Sequence, residues 1–428
     1  MRIDERGWRS LARFARTRSD GPTHLCSAVF ISGPGFTRRA VLRGALTGTA
    51  VLIGSRWLDG RAALAREPGA GSPDGWALGE PDENGVRLPA GFTSRIVARS
   101  GTRPAAGSSY AWHASPDGGA CFAAPDGGWV YVSNCELPGG GGGVGALRFD
   151  ARGEVIDAYA LLAGTSLNCA GGATPWGTWL SCEEFPQGRV WECDPIGRSA
   201  AVVRPALGVF AHEDAIVDPT AGRLYLTEDA PAGRFYRFTP AAASSGDRLD
   251  LSAGTLEAAE IEGHSPEGPV RWHAVPDPSG ARVPCSRQSP HTTPFRGGEG
   301  MAWHAGTVYF ATKYDNRIWA YDTAAERIRI IYDADRFADP VLTGVDNVVV
   351  APNGDVLVAE DGGDMQIVAI SPAGEVFPIL QVTTHRGSEI AGPAFDPSGT
   401  RLYFSSQRGP NGLLSSGITF EVRGPFAG

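Results

Sequence analysis

The chain has 428 residues, among them 58 Gly, 32 Pro, 11 Trp and a single lysine, Lys313. A small disulfide-stapled scaffold is excluded by length, and disorder and collagen by a 42% hydrophobic share with Gly and Pro scattered among aromatic and β-branched runs. What remains is a turn-dense, strand-rich fold, and a formal charge of −9 makes nucleic acid and anionic membrane surfaces poor partners.

The charge is uneven along the chain. Residues 1–65 carry eleven Arg and four acids, leaving 27 basic against 43 acidic residues in the remainder, a net of −16. Within this basic segment the twin arginines of Thr37-Arg38-Arg39-Ala40-Val41-Leu42-Arg43 precede a short apolar run, Gly44 to Gly54, and then Ala63-Leu64-Ala65. That order reads as a Tat-type export signal spanning residues 1–65, with the Tat translocon as a transient partner and a periplasmic or secreted mature protein. The apolar run is too short for stable membrane insertion.

From there on, one pattern recurs: an apolar strand, a Pro/Gly/Asp turn, a second strand ending in polar and acidic residues, a turn, and a third strand with alternating aromatics. In chain order the second strands are Trp129–Glu136, Thr178–Glu184, Arg223–Asp229, Thr307–Lys313, Asp355–Asp361 and Arg401–Gln407. Aligning Tyr131, Trp179, Tyr225, Tyr309, Leu357 and Tyr403 gives steps of 48, 46, 84, 48 and 46, the long step holding a polar, Pro-rich insertion at about 240–295. Six units of about four strands each predict an all-β, six-bladed β-propeller over residues 66–428, a single domain expected to be monomeric.

The repeat also predicts where chemistry sits. In a hairpin the start of the first strand and the end of the second lie at one edge. The first strands start with Asn168-Cys169-Ala170-Gly171-Gly172, His212-Glu213-Asp214, Gly298-Glu299-Gly300, Val345-Asp346-Asn347 and Ser388-Glu389; the second strands end with Glu136, Glu183-Glu184, Glu228-Asp229, Lys313 and Glu360-Asp361. Innermost propeller strands line the axis, so these groups converge on one mouth. Massed carboxylates repel and are costly to desolvate unless cations neutralise them, which predicts a multi-metal centre. Carboxylates suit Ca²⁺, Mg²⁺ or Mn²⁺, whereas a thiolate calls for a transition metal. Cys169 is such a thiolate or else a structural cysteine. Cys182 and Cys193, flanking the Phe185–Gly188 turn, read as a structural cross-strand pair. His212 is a metal ligand or a hydrogen-bonded structural histidine, and Trp176, Trp179 and Trp319 read as blade packing.

The segment Gly164 to Glu184, with Asn168-Cys169-Ala170-Gly171-Gly172 at its centre, closely resembles a signature of PhoX-type alkaline phosphatases. Gly298-Glu299-Gly300-Met301, the Val345–Asn347 to Glu360–Gly363 hairpin and Ala391-Gly392-Pro393 are similar to it as well, so that the resemblance covers roughly residues 85–425. It implies a six-bladed propeller, a Tat signal, and hydrolysis of small-molecule phosphate esters at a cluster of Fe³⁺ and Ca²⁺. Carried over residue by residue, it makes Cys169 an iron ligand, Glu184, Glu228 and Glu299 carboxylate ligands, and Glu136, Asp346, Glu360 and Asp361 calcium ligands.

The sequence departs from that pattern at the arginine expected to clamp phosphate. Arg296 stands three residues before Glu299, where the family pattern has two. A one-residue shift at a strand start turns a side chain to the other face, so Lys313 is the alternative clamp or else a solvated surface lysine. The expected function is an exported, metal-dependent phosphoesterase. The alternatives are a calcium-dependent lactonase-like hydrolase, which needs no Cys169, and a non-catalytic calcium-binding propeller.

Overall fold

The computed structural model describes residues 75–242 and 248–426, all within the compact unit Arg61–Gly428. The predicted signal segment lies outside the described residues. Regular structure is almost wholly β, with short 3₁₀ turns between strands. None of the described helices is long and apolar enough to cross a membrane.

Two strands come first, β1 (Val86–Arg87) and β2 (Thr93–Arg99). Blade 1 follows as β3 (Pro116–Ala123), β4 (Trp129–Cys135), β5 (Gly142–Phe149) and β6 (Val155–Thr165). Blade 2 is β7 (Asn168–Ala173), β8 (Trp179–Glu183), β9 (Val190–Cys193) and β10 (Val202–Val203). Blade 3 is β11 (His212–Asp218), β12 (Arg223–Glu228), β13 (Phe235–Pro240) and β14 (Gly254–Ile261), followed by the extra strand β15 (Gly268–Ala274). Blade 4 is β16 (Gly298–His304), β17 (Thr307–Thr312), β18 (Arg317–Asp322) and β19 (Arg327–Asp333). Blade 5 is β20 (Val345–Val350), β21 (Val356–Glu360), β22 (Gln366–Ile370) and β23 (Val376–Val382). Blade 6 contributes β24 (Ile390–Phe395), β25 (Arg401–Ser406) and β26 (Ile418–Arg423).

Each blade is an antiparallel meander, and the first strands pack against one another in ring order, β3-β7-β11-β16-β20-β24 and back to β3. The fold is the predicted six-bladed β-propeller. The ring closes on the amino-terminal strands. β2 pairs with β26 as the fourth strand of blade 6, and β1 pairs with β23 at the outer edge of blade 5. Buried Glu421 fastens β2, accepting from Arg95 at 2.8 Å, Arg401 at 2.7 Å and the Tyr403 hydroxyl at 2.6 Å. Removing Glu421 costs about 3–5 kcal/mol, because the largely buried Arg401 guanidinium is left uncompensated.

The core lies between blades, where alternate residues of the strands meet. Ala120, Val130, Val132, Val144 and Ala146 of blade 1 pack on Trp179 and Cys193 of blade 2. Between blades 3 and 4 the rings of Phe235 and Phe310 stack with centroids 4.6 Å apart. The Trp179 and Trp319 indoles are buried and the Trp176 indole half-buried, donating to Asn134, Thr312 and Glu192 respectively, which makes all three packing residues as predicted.

Two sequence expectations need revision. Residues 240–295 are not one insertion: β14 is the outer strand of blade 3, and β15 pairs with both β14 and β19, tying blades 3 and 4 into one sheet. Cys182 and Cys193 are not bonded. Their register sets Cys182 opposite Val190 and Cys193 opposite Trp179, and the six cysteines among the described residues are free.

Candidate metal and active centre

A single backbone device repeats around the axis. In all six blades the pairing of first and second strands slips near its start, between Pro116/Gly119, Asn168/Gly171, His212/Ala215, Gly298/Met301, Val345/Val348 and Ala391/Ala394. A β-bulge places two residues opposite one and re-aims their side chains. The residues so placed include Asp117, Cys169, Glu213, Glu299 and Asp346, with Ala391 at the corresponding position of blade 6. The bulges are packed tightly. A Cβ on Gly118 would lie 2.5 Å from the Cα of Ala170 and 2.6 Å from the Cys169 carbonyl, and one on Gly300 would lie 2.5 Å from the Cα of Asn347. Glycine is needed there because neighbouring backbones touch.

A second ring stands on the first. The residue after each second strand donates its N–H to the carbonyl two residues before the bulge position of its own blade: Glu136 to Ser115, Glu184 to Leu167, Asp229 to Ala211, Lys313 to Gly297, Asp361 to Gly344 and Gln407 to Glu389, at 2.7–3.1 Å. Six repeats of one hydrogen bond thus set four acids, one lysine and one amide above the bulge residues. The bulges are also bonded from blade to blade. Asn134 donates to the carbonyls of Cys169 and Ala170, both at 2.8 Å, and Thr227 donates to the Glu299 carbonyl at 2.7 Å.

Three groups of potential ligand atoms result, each with all atoms within 4.8 Å of one another: Glu136, Cys169 and Glu184; Asp117, Glu136 and Glu389; and Glu213, Glu299 and Asp346. Of the ten residues singled out from the sequence as ligands or clamp, the folded chain brings Glu136, Cys169, Glu184, Glu299 and Asp346 into these groups. Lys313 joins them, its Nζ lying 3.1 Å from Asp229 Oδ2 and 2.8 Å from Glu299 Oε1. Asp361 stands exposed beside the second group, and its carboxylate acts on Glu389 and Glu136. Arg296 is exposed; its carbonyl accepts from the Tyr314 N–H at 3.2 Å, and its guanidinium makes no ion pair among the described residues.

Glu228 and Glu360 are not brought to the groups, contrary to expectation. Glu228 accepts from the Tyr236 hydroxyl at 2.7 Å and the Arg234 N–H at 3.1 Å, and Glu360 from the Thr343 and Gln366 N–H groups at 3.0 Å each. Glu183, the first acid of the remaining pair, likewise accepts from Ser166 N–H and the Trp191 indole. Successive side chains leave a strand on opposite faces, so the first acid of each pair turns into its blade and the second faces the axis.

Asp117, Glu213 and Glu389 complete the groups, and none was singled out as a ligand from the sequence. Pro116-Asp117-Gly118-Gly119 carries turn residues and reads as a loop, although it begins β3. Aligning it with Asn168-Cys169 of the next repeat would have exposed it. His212 donates from Nε2 to the Gly208 carbonyl, 3.1 Å away, while its ring lies on Phe210, and burial pulls its pKa down to about 3. It is a neutral structural histidine.

Burial and mutual repulsion both act on this assembly of acids. Burial raises the carboxyls of Asp117, Glu213 and Glu389 well above the ordinary range, with neighbouring acids adding to it. Glu184 is pushed up to about 9 by burial and by Asp229, and Asp346 to about 7 by burial. The Cys169 thiol is raised by burial and then by Asp117 and Glu213, whose carboxylate oxygens lie 3.8 and 3.4 Å from its Sγ. Glu213 Oε2 and Asp229 Oδ1 are buried with no hydrogen-bond partner among the described residues. Buried acceptors of this kind are costly unless something donates to them or a cation sits between them.

The alkaline phosphatase PhoX family model matches residues 131–193, 186–329 and 322–409, more than half of the chain. The chain belongs to the PhoX family of alkaline phosphatases. It is accordingly a phosphoester hydrolase of that family. Among solved structures, PhoX of Pseudomonas fluorescens in complex with vanadate, a transition state analogue, matches this PhoX-family chain with a TM-score of 0.69 at 15% identity, over 81% of this chain and 97% of that one. A gluconolactonase of Xanthomonas campestris (TM-score 0.42, 13% identity, 79% of this chain and 90% of that one) and the calcium-binding regucalcin of Agrobacterium tumefaciens (0.43, 13%, 77% and 96%) are similar more distantly. A search of curated proteins finds no match.

Proposed function

We propose that the protein is an exported phosphoesterase whose centre on the propeller axis holds iron and calcium. The observation that carries the proposal is the convergence of one thiol and seven carboxylates in three groups at one end of the axis, with the buried Glu213 Oε2 unsatisfied. The donor set fits the metals: Cys169 with Glu136 and Glu184 offers a thiolate and two carboxylates, a site for iron, while Asp117, Glu136 and Glu389 offer the all-oxygen set that calcium takes. Bound there, the cations would polarise the phosphoryl group and offset the charge of the leaving oxygen. The chain's own part is to hold these acids ionised and fixed. Asn134 locks the Cys169 bulge from the neighbouring blade, and Gln407 donates to Asp117 at 2.6 Å and Glu136 at 2.9 Å, setting two carboxylates of one group. Arg296, whose guanidinium has no ion pair among the described residues, is the residue we assign to the substrate's phosphate, as a planar fork of donors suits two phosphoryl oxygens. The twin-arginine segment Thr37–Arg43 supports export of the folded, loaded protein to the periplasm or beyond.

The test is hydrolysis of p-nitrophenyl phosphate after loading with iron and calcium, with vanadate as inhibitor. Cys169→Ser and Glu184→Ala are expected to lose more than about 100-fold in activity, since even outer partners of a metal ligand are worth 10- to 100-fold. Glu360→Gln should fall far less than that. An inactive parent, or full activity in both ligand variants, overturns the reading.

A further inference from the structure

Lys313 is the only lysine of a chain whose other side-chain cations, histidines aside, are all arginines, and it stands at the ring position that blades 1, 2, 3 and 5 fill with Glu136, Glu184, Asp229 and Asp361. Its side chain passes over Gly297, where an added Cβ would lie 2.9 Å from Lys313 Cγ, so the missing side chain leaves the stem its path inward. At the end of that path its Nζ lies 2.8 Å from Oε1 of Glu299, a member of the Glu213–Glu299–Asp346 group, and 3.1 Å from Oδ2 of Asp229. The charges of Asp346, Glu213 and Glu184 act on it as well.

We propose that the Lys313 ammonium is a tethered cation that takes the place of one metal ion at the Glu213–Glu299–Asp346 group, so that the centre holds one metal fewer than its carboxylates would otherwise bind. An ammonium is a compact point charge with three donors, close in function to a small monovalent cation, whereas a guanidinium is a flat fork that needs a wider gap. That difference accounts for lysine at this ring position, where the gap lies between Asp229 of blade 3 and Glu299 of blade 4. It also removes Lys313 from the role of phosphate clamp, because its charge is already paired with Asp229 and Glu299. The inference rests on the reading of the axis as a metal centre.

The experiment counts metal. Parent, Lys313→Met and Lys313→Arg are stripped with chelator, reloaded with iron and calcium chloride, desalted and analysed for bound metal per chain. Lys313→Met is expected to hold one more divalent ion than the parent, and Lys313→Arg no more than the parent. Stripped Lys313→Met should also melt below the stripped parent and regain that loss on calcium chloride alone. Equal counts, or a lower count in Lys313→Met, sink this inference while leaving the metal centre standing; no metal in any of the three sinks both. A second measurement needs no variant. The loaded parent is treated with an acetylating reagent and the peptide containing Lys313 is read by mass spectrometry. It should remain unmodified, as in the stripped protein, and acetylation that appears only on loading would mean that a metal displaces the ammonium.

Discussion

The two halves of the same six inner strands make opposite surroundings. Their upstream ends carry the bulges, the thiol and the acids. Their downstream parts line a cavity of about 310 Å³ walled by such residues as Ala120, Ile216, Met301, Val349 and Phe395, where the only acid is Asp214, its carboxylate held by the N–H groups of Met301 and Ala215. The strands have the same neighbours at both levels, so topology cannot be what separates them. The difference is local: at the bulge one extra residue per strand turns a side chain to the axis, and beyond it regular alternation returns apolar side chains to the walls. The lesson is that six small register slips, and not the propeller itself, create the polar mouth.

That contrast can be tested, beginning with the largest effect. Without cations the mouth should be a source of instability. A carboxyl whose folded pKa is raised stabilises the fold below its unfolded pKa and loses that contribution as pH rises through the folded value, here about 7 for Asp346 and about 9 for Glu184. The chelator-stripped protein should therefore melt lower at pH 9 than at pH 5, by roughly 5–10 °C given about 2–4 °C per kcal/mol in a large domain. Loading with iron and calcium should raise Tm most at the alkaline end, and a flat stripped profile would remove the contrast. Next, Gly118→Ala drives a methyl into the Cys169 bulge of the neighbouring blade. Overpacking of this kind costs about 1–3 kcal/mol, and the expected result in thermal unfolding is that loss together with reduced metal content. The smallest effect belongs to the other half of the strands. Ile216→Val in the axial cavity should cost about 0.5–1.5 kcal/mol at most and leave metal content and activity unchanged, and a loss of metal there would mean that the two levels are coupled.

Much of the fold was legible in the sequence because a propeller repeats itself. The 46- and 48-residue steps and the acid-ended second strands gave directly the blade number and the edge where the acids gather. Individual ligands were less legible. Glu228 and Glu360 look as suitable as Glu184 in a one-dimensional alignment, and only strand pairing shows that the first acid of each pair is spent on hydrogen bonds inside its blade. Asp117 was hidden for the opposite reason, since Pro, Asp and Gly are the residues of a turn and here begin a strand that bulges.

The single lysine, the excess of acid over base beyond residue 65, and the period of the repeat are facts of the sequence, and they already require a propeller with acids at one mouth. The tertiary structure decided which acids meet. Each group of potential ligands within 4.8 Å draws on more than one blade, with up to 272 positions between Asp117 and Glu389, and the meeting depends on how the ring closes and on which face each bulge presents. Period and composition are properties of each blade taken alone, whereas the centre exists only between blades.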